Sequence, residues 1–185
     1  MKKIVIVLAA ALLALSSFKA SAQSGWEVDA GISPSLMDFM STEASVGKKN
    51  PSFVLPYLSL RGGYTFPGSF VGVYMDLGFS YASTTYTGGP SVLKEREPVF
   101  HLAPQVRLYY MNKDKWRLYA FVGAGVRVYN YAETFEGDTI TRTEWKPSWA
   151  FSPFACSFGS NWNVSLELGI GSGWAPMRLC AGYRF

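Results

Sequence analysis

The sequence predicts an all-β chain, an eight-stranded antiparallel up-and-down barrel that spans a membrane. Three observations predict it. Apolar and polar residues alternate over eight successive segments, the side-chain period of a strand whose two faces meet different environments. Beyond an N-terminal leader no apolar stretch reaches the ~18 residues of a membrane helix, so only a closed barrel pairs every backbone group inside a bilayer. The connections between segments alternate long and short, as an up-and-down barrel with both termini on one side requires.

The leader comes first in the chain. Lys2 and Lys3 precede the apolar run Ile4 to Leu15, and Ala20-Ser21-Ala22 is a small-x-small cleavage site, so residues 1–22 are expected to be a secretory signal peptide and residues 23–185 the barrel domain. The run is too short for a retained anchor. The first cysteine is Cys156, which argues against a lipoprotein anchor at the cleavage site. Lys2, Lys3 and Lys19 leave with the leader and no acid does, so 17 basic against 13 acidic residues become 14 against 13. A basic pI therefore gives no reason to expect nucleic acid as a partner. About 160 mature residues suit one domain, with no repeat or linker.

The eight segments follow in order. Trp26, Val28, Ala30 and Ile32 oppose Glu27, Asp29 and Gly31. In the segment from Phe53 to Tyr64, Leu58, Leu60 and Tyr64 oppose Ser59, Arg61 and Gly63. The third is the most regular, with Val71, Val73, Met75, Leu77, Phe79 and Tyr81 against Gly72, Tyr74, Asp76, Gly78 and Ser80. From Val99 to Tyr110, Phe100, Leu102, Val106 and Leu108 oppose His101, Ala103, Gln105 and Arg107. Leu118, Ala120, Val122, Ala124, Val126 and Val128 alternate with Arg117, Tyr119, Phe121, Gly123, Gly125 and Arg127. The sixth, from Lys146 to Phe158, is the weakest, with Trp149, Phe151, Pro153 and Ala155 expected outside. Val164, Leu166, Leu168 and Ile170 then oppose Asn163, Ser165, Glu167 and Gly169. In the last, Met177, Leu179, Ala181, Tyr183 and Phe185 oppose Arg178, Cys180, Gly182 and Arg184. Pro56, Pro104 and Pro153 cannot donate to a ladder, so bulges or local defects are expected beside them.

Residues 65–69, 112–115 and 159–161 carry turn formers and are expected to face the periplasm. The longer polar stretches 33–52, 84–95 and 132–144, with the short 172–176, are expected outside the cell.

The face that is not apolar settles which side meets lipid. It is rich in Gly, Tyr, Ser and Arg rather than in the Lys, Glu and Thr of a water-facing sheet. Arg61, Arg107, Arg117, Arg127, Arg178 and Arg184 lie on it with Glu27, Asp29, Asp76 and Glu167. Arg meets a carboxylate through two hydrogen bonds, so these residues are expected to form a lumen charge network. An eight-stranded barrel is only wide enough for its own side chains, and an unpaired buried charge costs several kcal/mol. A filled lumen without a large pore follows, with Glu27 or Asp29 expected to pair with Arg184 or Arg178 across the closing seam.

Aromatic placement fits a bilayer, because amphipathic rings prefer its interfaces. Trp26, Trp116 and Trp162, with Tyr110 and Phe185, fall at the periplasmic ends of strands, and Trp145, Trp149 and Trp174 are expected in an outer girdle. The terminal alternation through Leu179, Ala181 and Tyr183 to a final Phe185 resembles the C-terminal insertion signal of bacterial outer-membrane barrels. The whole mature pattern resembles the small barrels of the OmpA and OmpX type, and the endings Leu168-Gly169-Ile170-Gly171 and Ala181-Gly182-Tyr183-Arg184-Phe185 resemble the porin-like or PorT-like barrel domains common in Bacteroidetes. That resemblance implies location in the outer membrane of a Gram-negative cell, contact with outer-membrane lipid and lipopolysaccharide, insertion by the barrel-assembly machinery, and a monomer. It implies no activity.

No catalytic constellation, metal cluster or nucleotide motif stands out, and no cofactor is expected. The leading reading is a non-enzymatic barrel whose loops serve adhesion, surface interaction or envelope integrity. The apolar cluster Leu36, Met37, Phe39 and Met40 in the first long loop would cap the barrel or touch lipopolysaccharide or a protein partner. The alternative is an enzyme modifying lipid A or another outer-leaflet lipid, with His101, the only histidine, as general base and Ser80 or Ser148 as nucleophile. A narrow channel or secretion-complex subunit is the third. Gly123-Ala124-Gly125 is expected to make room for lumen tyrosines. Cys156 and Cys180, both placed inward but a whole strand apart, are expected to be free thiols, since strands stand ~4.8 Å apart and a bridge needs Cα atoms within ~7 Å.

Overall fold

The computed structural model describes residues 25–34, 48–66, 70–87, 93–135, 138–174 and 176–185. They form eight strands: β1 (Trp26–Ser33), β2 (Lys48–Thr65), β3 (Val71–Thr87), β4 (Leu93–Asn112), β5 (Trp116–Phe135), β6 (Asp138–Phe158), β7 (Trp162–Gly171) and β8 (Met177–Arg184). Each pairs antiparallel with the next and β8 returns to β1, closing the barrel. Closure is the condition for strands in lipid, where each unpaired backbone group costs several kcal/mol. The leader and the cluster Leu36, Met37, Phe39 and Met40 lie outside the described residues.

Alternation sorts the side chains into two environments. On β3, Gly72, Tyr74, Asp76, Gly78 and Ser80 are buried, while Val73, Met75 and Leu77 are exposed. The same holds along β4, where His101, Gln105 and Arg107 are inside and Phe100, Leu102 and Leu108 outside. The apolar face is thus the outer one, inverted relative to a water-soluble domain, and lipid is the medium that matches it. Inward glycines admit the large rings: a Cβ on Gly63 would collide with Tyr74, and one on Gly78 with Tyr57. Gly123 and Gly125 serve differently from the expectation. They admit Gln105 and the β4 backbone at Leu102 rather than tyrosines.

The end where β1 begins and β8 finishes, here the foot, carries the short turns. Lys113 N–H donates to the Trp116 carbonyl at 2.9 Å, and Gly159 closes the β6–β7 turn at φ +120°, a conformation that L side chains rarely adopt. Aromatic pairs ring this end: Trp26 on Tyr64 at 5.2 Å, Trp116 on Phe158 at 4.7 Å and Trp162 on Tyr183 at 5.0 Å. Phe185 departs from the expected lipid-facing position. It is 7% exposed, edge-on to Tyr183 at 5.1 Å, and its N–H donates to the Trp26 carbonyl at 2.9 Å, so it packs into the aromatic foot.

At the opposite end, the rim, the strands run further than the apolar alternation indicates. The stretch 132–144 is mostly a hairpin rather than a loop, paired out to Phe135 and Asp138, and most of 84–95 is likewise strand. Thr139, Ile140, Thr141 and Thr143 are β-branched and favour extended backbone, while the charges between them erase the apolar period that marks a lipid-facing strand.

Two of the three prolines behave as expected. The register shifts between Leu55 and Leu58, around Pro56, and between Phe151 and Phe154, around Pro153. Pro104 keeps register with both neighbours. The Pro153 bulge inverts the phase of β6. Pro153 and Phe154 both face outward, so Ala155 turns inward, buried, and Cys156 turns outward to pair with Leu118 and Leu166. Both expected placements are thereby reversed. The Ser152 hydroxyl holds the bulge, 3.0 Å from the Phe154 carbonyl and 2.8 Å from that of Leu168.

Both cysteines are free, now on opposite faces. In lipid nanodiscs, a lipophilic maleimide is expected to label Cys156 while a charged thiol reagent does not. Cys180 is expected to resist both until unfolding. Peptide mass mapping checks this, and labelling of Cys156 by the charged reagent alone contradicts its lipid-facing placement.

Candidate functional site: the lumen

The lumen is assembled by strand register. Asp29 on β1 stands opposite Arg61 on β2, which also faces Asp76 on β3. Glu167 on β7 faces Arg178 on β8. Inward alternation aims all five into the same layer. Arg61 reaches Asp29 and Glu167 at 2.8 Å each. Arg178 clamps Glu167 through Nε and Nη2 at 2.7 Å and reaches Asp76 through Nη1 at 2.7 Å. Arg107 on β4 spans the lumen to Asp29 at 3.2 Å, with its guanidinium 3.7 Å from the Tyr74 ring centre. The Gln105 amide donates to Asp76 at 2.7 Å and the Tyr119 hydroxyl to Glu167 at 2.8 Å.

Below this layer, towards the foot, Glu27 accepts from Arg117 at 3.1 Å and from the Tyr74 hydroxyl at 3.2 Å. The hydroxyls of Thr65, Tyr74 and Tyr109 form a triangle of 2.8 to 3.0 Å. Of the seam pairs expected across β1 and β8, Glu27 and Arg184 are register partners but only 4.0 Å apart as an ion pair. Arg178 turns instead to Glu167 and Asp76, and Asp29 to Arg61 and Arg107.

Above it, towards the rim, two residues depart from the sequence reading, Trp174 and Arg127. Trp174 is 0% exposed and lies inside the lumen rather than in an outer girdle, its ring 4.7 Å from the Arg178 guanidinium and 6.1 Å from Phe121. Gly171 leaves the space that the Trp174 ring needs, and Gly173 leaves space for the Tyr57 ring. Trp149 and Trp145 remain exposed. Arg127 has no Asp or Glu at ion-pair distance among the described residues. It donates to the Ser172 carbonyl and lies over Tyr129 at 5.1 Å, so it ties down the β7–β8 connection. His101 and Ser148 meet across β5, Nδ1 to Oγ at 2.7 Å, where Gly125 lets the strands approach. Sequence spacing carries no signal for that contact.

Beyond the Trp149 girdle, Glu144 pairs with Lys146 at 3.1 Å and with Arg142. The bond from Lys146, aided by Arg142, holds its carboxyl below the usual range.

Removing one member of the central lattice strands its partners. Glu167→Ala is expected to destabilise the barrel by about 3–5 kcal/mol, read as a lower urea midpoint in lipid vesicles. Glu144→Ala, in a solvent-screened surface pair beyond the girdle, is expected to change that midpoint little.

A scan against protein-family models matches residues 5–173 to the outer membrane protein beta-barrel domain. No curated protein is similar enough in sequence to count as a relative. Among solved structures, the chain is similar to Ail, the attachment invasion locus protein of Yersinia pestis, in complex with the heparin analogue sucrose octasulfate (14% identity, 86% of this chain and 97% of that one, TM-score 0.49). It is also similar to the N-terminal beta-barrel domain of Pseudomonas aeruginosa OprF (11% identity, 88% and 98%, TM-score 0.38) and to Neisserial surface protein A (13% identity, 88% and 98%, TM-score 0.38). With the family model covering nearly the whole chain and a closed eight-stranded barrel turned apolar side out, the chain belongs to the outer membrane protein beta-barrel domain family and is a protein of the bacterial outer membrane.

Proposed function

We propose that this barrel is a non-enzymatic, non-conducting monomeric anchor, inserted by the barrel-assembly machinery, that raises a β-wall from the outer membrane for adhesion or surface interaction. The observation that carries this is the inequality of the strands. A strand crosses the membrane in about ten residues, and β7 has 10 and β1 and β8 have 8 each, whereas β4, β5 and β6 have 20, 20 and 21. The surplus stands on one side of the rim. There β6 pairs with β7 only from Ala150 onward, so the backbone of its outer half, Asp138 to Ser148, is paired with β5 alone. Lys146, Pro147 and the charges of Arg142 and Glu144 guard this open edge against self-association. Its apolar belt contacts outer-membrane lipid and lipopolysaccharide.

A second reading, an outer-leaflet lipid A modifying enzyme, draws on the 2.7 Å contact of His101 with Ser148. Against it, both groups are buried on the lumen side, facing away from the lipid a deacylase would attack.

Replacing residues 132–141 by Asn-Gly, a two-residue hairpin turn, tests the leading reading. The shortened barrel is expected to keep its heat-modifiable migration and membrane location, while cells displaying it lose adherence. Unchanged adherence would remove the wall from the function. Stable conductance in planar bilayers would contradict the filled lumen, and lipid turnover that vanishes in His101→Ala would favour the enzyme.

A further inference from the structure

The lumen charges divide unevenly along the barrel axis. In the central layer, three acids, Asp29, Asp76 and Glu167, face three cations, Arg61, Arg107 and Arg178, at 2.7 to 3.9 Å. That layer balances. At the foot, Glu27 alone serves Arg117 at 3.1 Å and Arg184 at 4.0 Å, and neither arginine has another Asp or Glu at ion-pair distance among the described residues. Arg107 also leans on Glu27 from above, at 3.9 Å.

Arg184 is the least satisfied of these cations. A guanidinium carries five N–H donors. Its Nη1 makes one long bond, 3.4 Å, to the Asp114 carbonyl, while Nε and Nη2 are buried without a hydrogen-bond partner. Arg117 Nε is in the same condition, as is one donor each of Arg107, Arg127 and Arg178 higher in the lumen, that of Arg178 still at ion-pair distance from Glu167, but only Arg184 has two. Asp114 lies in the β4–β5 turn between Lys113 and Lys115, both exposed. The foot thus gathers Lys113, Lys115, Arg117 and Arg184 against Glu27, Asp114 and the carboxylate of the final Phe185. The unused donors at the foot belong to two guanidiniums held on different strands, Arg117 on β5 and Arg184 on β8. A planar carboxylate meets one such fork, whereas the oxygens of a phosphate point in several directions and accept from two at once.

We infer that the foot of the lumen is an anion site for a phosphate group, gripped by Arg184 and Arg117, with Lys113 and Lys115 at its entrance. A phospholipid headgroup of the near leaflet and free inorganic phosphate present the same oxygens, and the test separates them. The site lies at the opposite end from the raised wall and stands independently of the function proposed for it.

The full chain is labelled with 15N-arginine and placed in phosphatidylcholine nanodiscs, and its Nε–Hε resonances are assigned with Arg184→Lys and Arg117→Lys. One arm adds inorganic phosphate at constant ionic strength, which holds screening fixed. The other raises the fraction of phosphatidylglycerol. The resonances of Arg184 and Arg117 are expected to shift saturably while those of Arg61 and Arg178 stay in place. A shift with phosphatidylglycerol only identifies the lipid headgroup, and a shift with phosphate identifies the free anion as sufficient. Arg184→Gln is expected to abolish the Arg117 shift. The double variant Lys113→Gln/Lys115→Gln, confined to an exposed turn, is expected to weaken half-saturation about threefold or more while leaving the fold intact. If no arginine moves in either arm, the chain's own groups fill the site and the proposal is overturned. Parallel movement of all lumen arginines, or no effect of the lysine variant, overturns it equally.

Discussion

Glu167 accepts from three sides at once, from Arg61, Arg178 and the Tyr119 hydroxyl, and the rest of the barrel is arranged around making that possible. A carboxylate buried in the middle of a membrane protein has no water to fall back on, so its solvation must come from neighbouring strands. Arg61 and Arg178 are in turn held by Asp29 and Asp76, which brings β1, β2, β3, β7 and β8 into one lattice. Arg107 extends it to β4 and Tyr119 to β5. The backbone ladders close the cylinder, but they are indifferent to which residue lies opposite which. The lattice is not: a two-residue slip of one strand would leave its faces unchanged and would separate Asp29 from Arg61. Ion pairing therefore selects register where the lipid-facing side, a continuous apolar band, discriminates little.

The rings serve the same lattice. Tyr74 and Tyr119 lie against the Arg107 guanidinium at 3.7 and 4.7 Å, and Trp174 and Phe121 against that of Arg178 at 4.7 and 5.4 Å. A cation desolvated between aromatic faces keeps electrostatic stabilisation that an aliphatic lining would not give. Glycines among the inward positions make room for several of the lumen rings: Tyr74 needs the absence of a Cβ at Gly63, Tyr57 at Gly78 and Trp174 at Gly171.

How much of this was legible in the sequence depended on whether a residue's position followed from period two. On β3, from Val71 to Tyr81, every inward and outward assignment holds, since nothing interrupts the alternation. The Glu167 lattice was visible as a set of inward charges but not as a set of pairs, because pairing is fixed by register across strands far apart in the chain. At Pro153 the chain adds one residue to a face, and everything beyond it on β6, Ala155 and Cys156 included, changes side. Proline marks that an irregularity is available, but Pro104 has none, and which outcome follows depends on the neighbouring strands. Trp174 was misplaced for another reason: near the rim, a tryptophan in a connection has the same sequence context whether it faces lipid or folds inward over Arg178.

The two unequal sides of the rim are linked to that inward fold. On the side of β7, β8 and β1 the strands stop early, so the connection between β7 and β8 is short and stands directly over the lumen. Gly171 N–H donates to the Trp174 carbonyl at 2.9 Å, Trp149 N–H to the Ser172 hydroxyl at 2.9 Å, and Arg127 to the Ser172 carbonyl. Two of these three bonds come from β5 and β6, the strands that rise furthest. The tall side thus supplies the groups that pull the low side inward, and a longer β7–β8 connection would have less reason to enter the barrel. Sealing above the central lattice and the raised wall are two consequences of one asymmetry in strand length. The Trp174 ring closes the layer in which Arg178 must stay dry, and the wall stands clear of it.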